Sequence, residues 1–371
     1  TSYPKSPCVL AAINDAMLNG LGSPGRGVHR LALRSSSILN RTRSALAKFF
    51  GTVHPGQFIL TSSATEALNL AIKGVCSAGD HVISSVMDHN AVLRPLAALN
   101  RTGVTHTLIA CDSLGRIDLD ELEKSIRPNT RLAVFSQASN VIGTIQPMAE
   151  ISRIVSAKGV LLLVDAAQSA GLLPIDLQAF NVDMLAIAGH KSIGGPVGTG
   201  ALYVRPGLDI SPLIHGGTGT RSDSVDQPHE MPWGYESGTP NTLGFAGLLA
   251  ALEELNDTGV ASVRKHELEL SQRIVDGLGE YRQVRVPGPS SARDRASAIS
   301  LVVEGWDPTE LASVLDESFD IAVRAGLHCA PLAHKAIGTF PQGTLRVSAG
   351  RFNTTADVDA FLEAIGRVVG A

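Results

Sequence analysis

Several short segments place reactive side chains just past apolar runs. Asp165 closes the run 160–164 and leads into Ala166-Ala167-Gln168. A carboxylate at the tip of a buried strand can hold a cationic ring nitrogen or a metal in the ligand crevice, or it can cap a loop. Lys191 stands after the next run, 184–188, behind Gly189-His190 and ahead of the glycine-rich stretch 194–200. Desolvation there would depress the ammonium pKa and leave an amine able to form a Schiff base. A solvated lysine is the commoner case, but Asp165 and Lys191 end consecutive runs. Ser62-Ser63-Ala64-Thr65-Glu66 opens a helical pattern and offers N–H groups and hydroxyls to a phosphate, or forms an ordinary cap. His89 and Asn140 stand at two more such edges; the imidazole could stack on a planar cofactor or shuttle protons, or belong to a helix cap. Cys329 lies in a polar loop between Arg324 and Pro331, with Arg324 and His328 as neighbours that favour a thiolate, which makes it a nucleophile candidate.

The remaining chemistry-bearing residues form no constellation. Cys8, Cys76 and Cys111 lack a comparable setting and read as buried or incidental thiols, and with no C-x-x-C pair the cysteines are expected to be reduced. His328, Cys329 and His334 have no second cluster at ligand spacing, so no metal is expected. Gly20 to Gly25 matches G-x-G-x-x-G, but a helical pattern precedes it and Pro24 interrupts the turn, which argues against a dinucleotide site.

These residues need elements to carry them. Strand patterns fall at 58–60, 81–86, 106–110, 132–136, 160–164, 184–188 and 201–204, alternating with helical patterns at 65–75, 91–99, 119–126 and 148–157. That order predicts an α/β fold around a mostly parallel sheet. Beyond Asn241 come helical patterns at 243–255 and 260–278 and a smaller α+β unit with signals at 297–303, 308–315, 321–324, 344–348 and 356–369. Two domains are expected, 13–252 and 253–371, with residues 1–12 packing on the second and the site in the cleft between them. The 371 residues are 44% apolar and 18% charged, as in an ordered globular protein. A net charge of −4 without a Lys/Arg run speaks against nucleic acid as a partner. The run 160–164 is far short of the roughly 20 residues that cross a bilayer. The first residues carry no targeting pattern, and the expected location is cytoplasmic.

The segments 61–66, 88–91, 139–144, 165–168, 189–191, 236–241 and 324–329 together resemble, in order, those of the fold-type I pyridoxal-phosphate (PLP) enzymes of the class V aminotransferase group, specifically the cysteine desulfurase and selenocysteine lyase family. The resemblance implies a large domain with a mostly parallel seven-stranded sheet and a smaller α+β C-terminal domain. It implies that Lys191 binds the cofactor aldehyde, Asp165 pairs with the ring nitrogen, His89 stacks on the ring and Gln168 contacts its phenolic oxygen. Ala64, Thr65 and His190 would lie at the phosphate, with Thr239 supplied by the second subunit of a homodimer. Asn140 and Arg346 would bind the substrate carboxylate, with Arg324 close by. The implied reaction turns L-cysteine into L-alanine and leaves a persulfide on Cys329 for an acceptor protein or thiol, as in iron–sulfur cluster biogenesis. Alternatives within the group are a selenocysteine lyase, a cysteine or cystine C–S lyase, and a class V aminotransferase or epimerase; a non-catalytic scaffold is a further one. The family's Asp-Asn-Ala-Ala-Thr segment is not found, Ala188 stands where Ser or Thr is common, and the loop from Cys329 to Arg346 is short, as in the branch that depends on a dedicated acceptor and also cleaves selenocysteine.

Overall fold

The structure, a computed structural model, describes residues 4–25, 27–178 and 180–370. Seven strands form the larger sheet: β1 (Phe58–Thr61), β2 (His81–Ser85), β3 (Thr105–Ile109), β4 (Thr130–Ser136), β5 (Leu161–Asp165), β6 (Met184–Ala188) and β7 (Gly200–Val204), in the spatial order β1-β7-β6-β5-β4-β2-β3. The neighbours from β3 to β6 run parallel, whereas β7 is antiparallel to both β6 and β1. Strands β5, β6 and β7 are buried along their whole length, which is why they read as unbroken apolar runs and not as alternating ones.

Successive residues of a strand face opposite layers. Phe135 and Leu185 pack on one side with α2 (Arg30–Phe49), α6 (Met148–Ser156) and α7 (Thr242–Thr258); Val134 and Ala186 pack on the other with α3 (Ala64–Val75) and α4 (Asn90–Leu99). The short α5 (Leu119–Ser125) lies beside α6. The first helix, α1 (Pro7–Leu18), lies along α7; its Val9 is buried in the same core as α2, and Ser6 ahead of it hydrogen-bonds Glu254.

The second sheet is antiparallel, in the order β10-β11-β9-β8, from β8 (Val284–Arg285), β9 (Ile299–Val303), β10 (Arg324–Gly326) and β11 (Thr344–Val347). Its core joins Leu301 and Leu345 to α8 (Val260–Gly279), α9 (Pro308–Phe319) and α11 (Thr355–Val369). The strand expected over 321–324 begins at Arg324. Asp320 ends α9 in a left-handed conformation and the Ile321 N–H turns back to Leu315 O, so pairing starts only where Arg324 meets Arg346. The short α10 (Pro331–Ala336) follows directly on the Cys329 loop.

Candidate active site

Strands β5 and β6 are adjacent and parallel, so residues just past their C-terminal ends meet at one sheet edge. Asp165 is 5% exposed; its Oδ1 accepts the Ala167 N–H (2.9 Å) and its Oδ2 the Ser136 hydroxyl (3.4 Å). Burial pushes its pKa up, against the Lys191 charge and these hydrogen bonds. Burial in turn pulls the Lys191 ammonium down, opposed by Asp165 and helped by Arg346 and Arg324. A carboxylate and an amine with spare capacity therefore face the same cleft, each needing a partner to offset its desolvation.

The cleft's other end is the start of α3. Ser63 caps the helix by accepting the Glu66 N–H (3.2 Å), and the first-turn N–H groups of Ala64 and Thr65 project from the helix end, where an anion is favoured. Gly200 of β7 lets that cap sit tightly against the sheet: a Cβ there would lie 2.6 Å from the Ser63 carbonyl carbon. Ala64, Ala167 and Ala188 pack together beside it. His190 has a buried Nδ1 with no hydrogen-bond partner, and burial, Lys191 and Lys5 together lower its pKa to about 4. Its carbonyl accepts a hydrogen bond from Lys5 Nζ at 3.0 Å.

His89 is a helix cap that also faces the cleft. It caps α4, its Nδ1 accepting the Ala91 N–H at 2.9 Å, and it lines the cleft. Burial first, then the charges of Lys191, Arg324 and Arg94, lower its pKa to about 4, so the ring is neutral with its proton on Nε2. The preceding Asp88 is fully buried and accepts the Ser84 hydroxyl, the Ser85 N–H and the Ser85 hydroxyl, each at 2.8 Å, and the Ser136 N–H at 2.7 Å. Ser136 thus serves two carboxylates, its N–H bonding Asp88 and its Oγ bonding Asp165.

The smaller sheet closes the cleft. Arg324 and Arg346 pair in register across β10 and β11. Arg346 Nη1 donates to the Asn140 carbonyl (2.6 Å), and burial, then Arg324, lowers its pKa to about 10. Asn140 Nδ2 donates to the His328 carbonyl (2.6 Å), and the Asn90 N–H to the Cys329 carbonyl (2.8 Å). Cys329 is exposed, with Sγ 3.6 Å from Arg324 Nη2. His328 does not supply the cationic neighbour expected of it: it is 2% exposed, and burial pushes its pKa down to about 3, which keeps it neutral.

Of the residues expected at the site, Ala64, Thr65, His89, Asn140, Asp165, Gln168 and Lys191 line one cavity. Arg346, through Asn140, and Cys329, through the His89–Asn90 turn, adjoin it; Arg324 and His190 adjoin it through Cys329 and Lys191. Thr239 does not join them; it lies in a separate exposed hollow with Arg43, Trp233 and Glu236. Sequence reasoning missed Ser136 and Lys5 as contributors. Ser136 could have been found as the last residue of a strand beside the one Asp165 ends, whereas Lys5 lies 185 residues from its partner in sequence. Cys76 is buried and burial pushes its thiol up to about 12; burial also raises Cys111, and the four cysteines are free. The imidazoles of His328 and His334 bond Thr344 and Thr339, and among the described residues no cluster could hold a metal ion.

This donor set fits pyridoxal phosphate: a helix N-terminus for a phosphate, an unpartnered imidazole nitrogen on the residue before Lys191, a buried carboxylate with acceptor capacity for a protonated ring nitrogen, and a desolvated amine for an aldehyde. The comparisons with known proteins point the same way. The family described as Aminotransferase class-V matches residues 1–361. A probable cysteine desulfurase of Methanothermobacter thermautotrophicus is 30% identical over 98% of this chain and 91% of its own, and one of Halalkalibacterium halodurans is 33% identical over 97% and 89%. The apo structure of cysteine desulfurase from Thermococcus onnurineus superposes with a TM-score of 0.93 at 30% identity, covering 100% of this chain and 93% of that one.

Proposed function

From the premise that this chain belongs to the aminotransferase class-V family, we propose that it is a PLP-dependent cysteine desulfurase that converts L-cysteine to L-alanine and keeps the sulfur as a persulfide on Cys329. The observation that carries this reading is the meeting of Lys191, Asp165 and the hydrogen-bonded Cys329 turn at one cleft.

Lys191 would carry the cofactor, Asp165 would face its ring nitrogen, Gln168 and His89 would flank the ring, and Ala64, Thr65 and His190 would hold the phosphate. When bound, pyridoxal phosphate supplies an aldehyde that captures amines and a ring that takes up the electron pair left when the substrate Cα–H bond breaks. Asp165 stays anionic opposite a cation, which offsets its burial. Lys191, already lowered by desolvation, is suited to take the Cα proton and return it. Arg346, with Arg324 beside it, offers the substrate carboxylate a bidentate partner, and Asn140 orders Arg346 through its carbonyl.

Cys329 Sγ, as thiolate, bonds the substrate sulfur as the substrate Cβ–S bond breaks. The electron pair of that bond stays with the substrate, whose carbon is protonated and leaves as alanine, so one cysteine and one enzyme thiol give one alanine and one persulfide. The exposure of Cys329 then suits handover to an acceptor thiol. Thr239, exposed and away from Lys191, fits a role in the site of a second copy, and we take the working form as a homodimer. We also retain the division into 13–252 and 253–371, noting that α7 runs across it.

Purified protein supplied with PLP and L-cysteine is the test. The wild type forms alanine; Lys191→Ala and Cys329→Ser each lose at least 100-fold. Alanine formation that survives Cys329→Ser would overturn the nucleophile, and pyruvate in place of alanine would overturn the reaction.

A further inference from the structure

Two consecutive residues without the freedom of glycine, His328 and Cys329, occupy the left-handed region at φ 49° and 60°. The turn is closed by the Ala330 N–H on Leu327 O at 2.9 Å. A pair of such residues is strained and persists only where the surroundings enforce it. Here the enforcement comes from two sides. On the large-sheet side, the Asn90 N–H and Asn140 Nδ2 hold the two carbonyls of the pair. On the small-sheet side, the His328 ring is driven into the core, where its Nε2 lies 3.1 Å from Thr344 Oγ1 on β11.

The bonds beyond that contact have a direction. Ser300 on β9 donates its hydroxyl proton to the Val141 carbonyl at 2.7 Å, so it meets Thr344 Oγ1, also at 2.7 Å, as acceptor. Thr344 has then spent its proton on Ser300 and accepts from His328, which fixes the ring as the Nε2–H tautomer and leaves the buried Nδ1 without a partner. The chain ends on Val141, next to the Asn140 that grips the His328 carbonyl. Main chain and ring of one residue are thus tied to the same loop by separate routes.

We propose that His328 is a positioning residue: a neutral, buried peg whose bond to Thr344 and Ser300 holds the Cys329 turn in its left-handed form over the cleft. This proposal rests on Cys329 being the sulfur acceptor, and it adds that the turn is held fixed by this chain of side chains. The side chain of Cys329 then moves by rotation at Cβ while its backbone stays with Asn90.

The test uses full-length protein and three variants: His328→Ala, Thr344→Val, which is nearly isosteric and removes only the hydroxyl, and the double variant. Hydrogen exchange is read at the Asn90 and Ala330 amides, which bond within the turn, with the amides of β5 as the control. Both single variants are expected to speed exchange at Asn90 and Ala330 at least tenfold with β5 changed less than twofold, and the double variant to add little to His328→Ala. With L-cysteine, kcat for alanine is expected to fall at least tenfold while KM moves less than threefold. His328→Gln, which can present an amide N–H to Thr344, is expected to recover part of the loss. Unchanged exchange at Asn90 and Ala330 in both single variants, or strictly additive effects, overturns the proposal. The exchange readout needs no turnover, so absence of alanine in every variant including the wild type would instead refute the desulfurase reading.

Discussion

Asp88→Asn tests how the site is built. The Asp88 carboxylate receives four hydrogen bonds, three at Oδ2 from Ser84 and Ser85 and one at Oδ1 from the Ser136 N–H. An asparagine has one oxygen for these two sets. With its amide toward Ser136, two N–H groups confront each other; with its amide toward the serines, both hydroxyls can turn to accept but the Ser85 N–H cannot. The first arrangement leaves a buried backbone donor and an amide proton unmatched and the second only a buried backbone donor, so the cost is set by the second, at about 1–3 kcal/mol. Urea unfolding at pH 7.5 should show that loss as a lower midpoint at unchanged m, with faster exchange at the ends of β2 and β4. Ser84→Ala removes one of three donors to the charged oxygen and should cost about 1.5–3 kcal/mol. Burial raises the Asp88 pKa while its four donors favour the anion. A carboxyl that kept its proton in the folded protein would make Asp88→Asn nearly silent. A shift under about 0.5 kcal/mol would therefore refute the ionised network and its control of Ser136.

Three further outcomes follow from the same geometry. His81, His89, His190 and His334 are lowered to about 4 and His328 to about 3, mainly by burial, so the unfolded chain binds more protons than the folded one between those values and 6.5. The stability they contribute is whole above pH 6.5 and is lost as pH falls toward 4, so followed by NMR in the folded protein these rings should stay mostly unprotonated at pH 5; a ring that protonates near pH 6.5 would contradict its burial in the neutral form. Gly200→Ala places a methyl 2.6 Å from the Ser63 backbone and should raise the PLP Kd, measured by fluorescence quenching, at least tenfold; an unchanged Kd would remove the start of α3 from the phosphate site. Cys8→Ala and Cys111→Ala should keep alanine formation within twofold, since neither thiol lines the cleft; a tenfold loss in either would reassign the sulfur path.

The sheet was legible because most of its strands, β1, β2, β5, β6 and β7, are buried along their length and so interrupt the polar sequence as runs of β-formers. The helix α2 was not, because its inward face carries Ser35, Thr42 and Arg43. Thr42 bonds the carbonyls of Ile38 and Phe245, and Arg43 bonds Phe58 O, Asn40 and Glu236. Polar groups paired in the core erase the apolar period that marks a helix. Asp165, Lys191 and His89 could be located because each closes a strand, follows one closely or opens a helix, positions visible in one dimension. The bonds that hold them could not. Ser136 joins Asp88 to Asp165, and His328 reaches Thr344 and through it Ser300, only after the strands are set side by side. The expectation that His328 is a cationic neighbour of Cys329 failed for the same reason, since burial depends on where the ring goes and not on which residues adjoin it in sequence.

The central claim is that sulfur leaves cysteine onto one thiol of this chain. A single turnover of PLP-loaded enzyme with L-cysteine, quenched with iodoacetamide and read by peptide mass spectrometry, tests it directly. One alanine per active site with one added sulfur atom on the Cys329 peptide is the predicted result. Alanine with that peptide unmodified, or the added sulfur on Cys8, Cys76 or Cys111 alone, would contradict it.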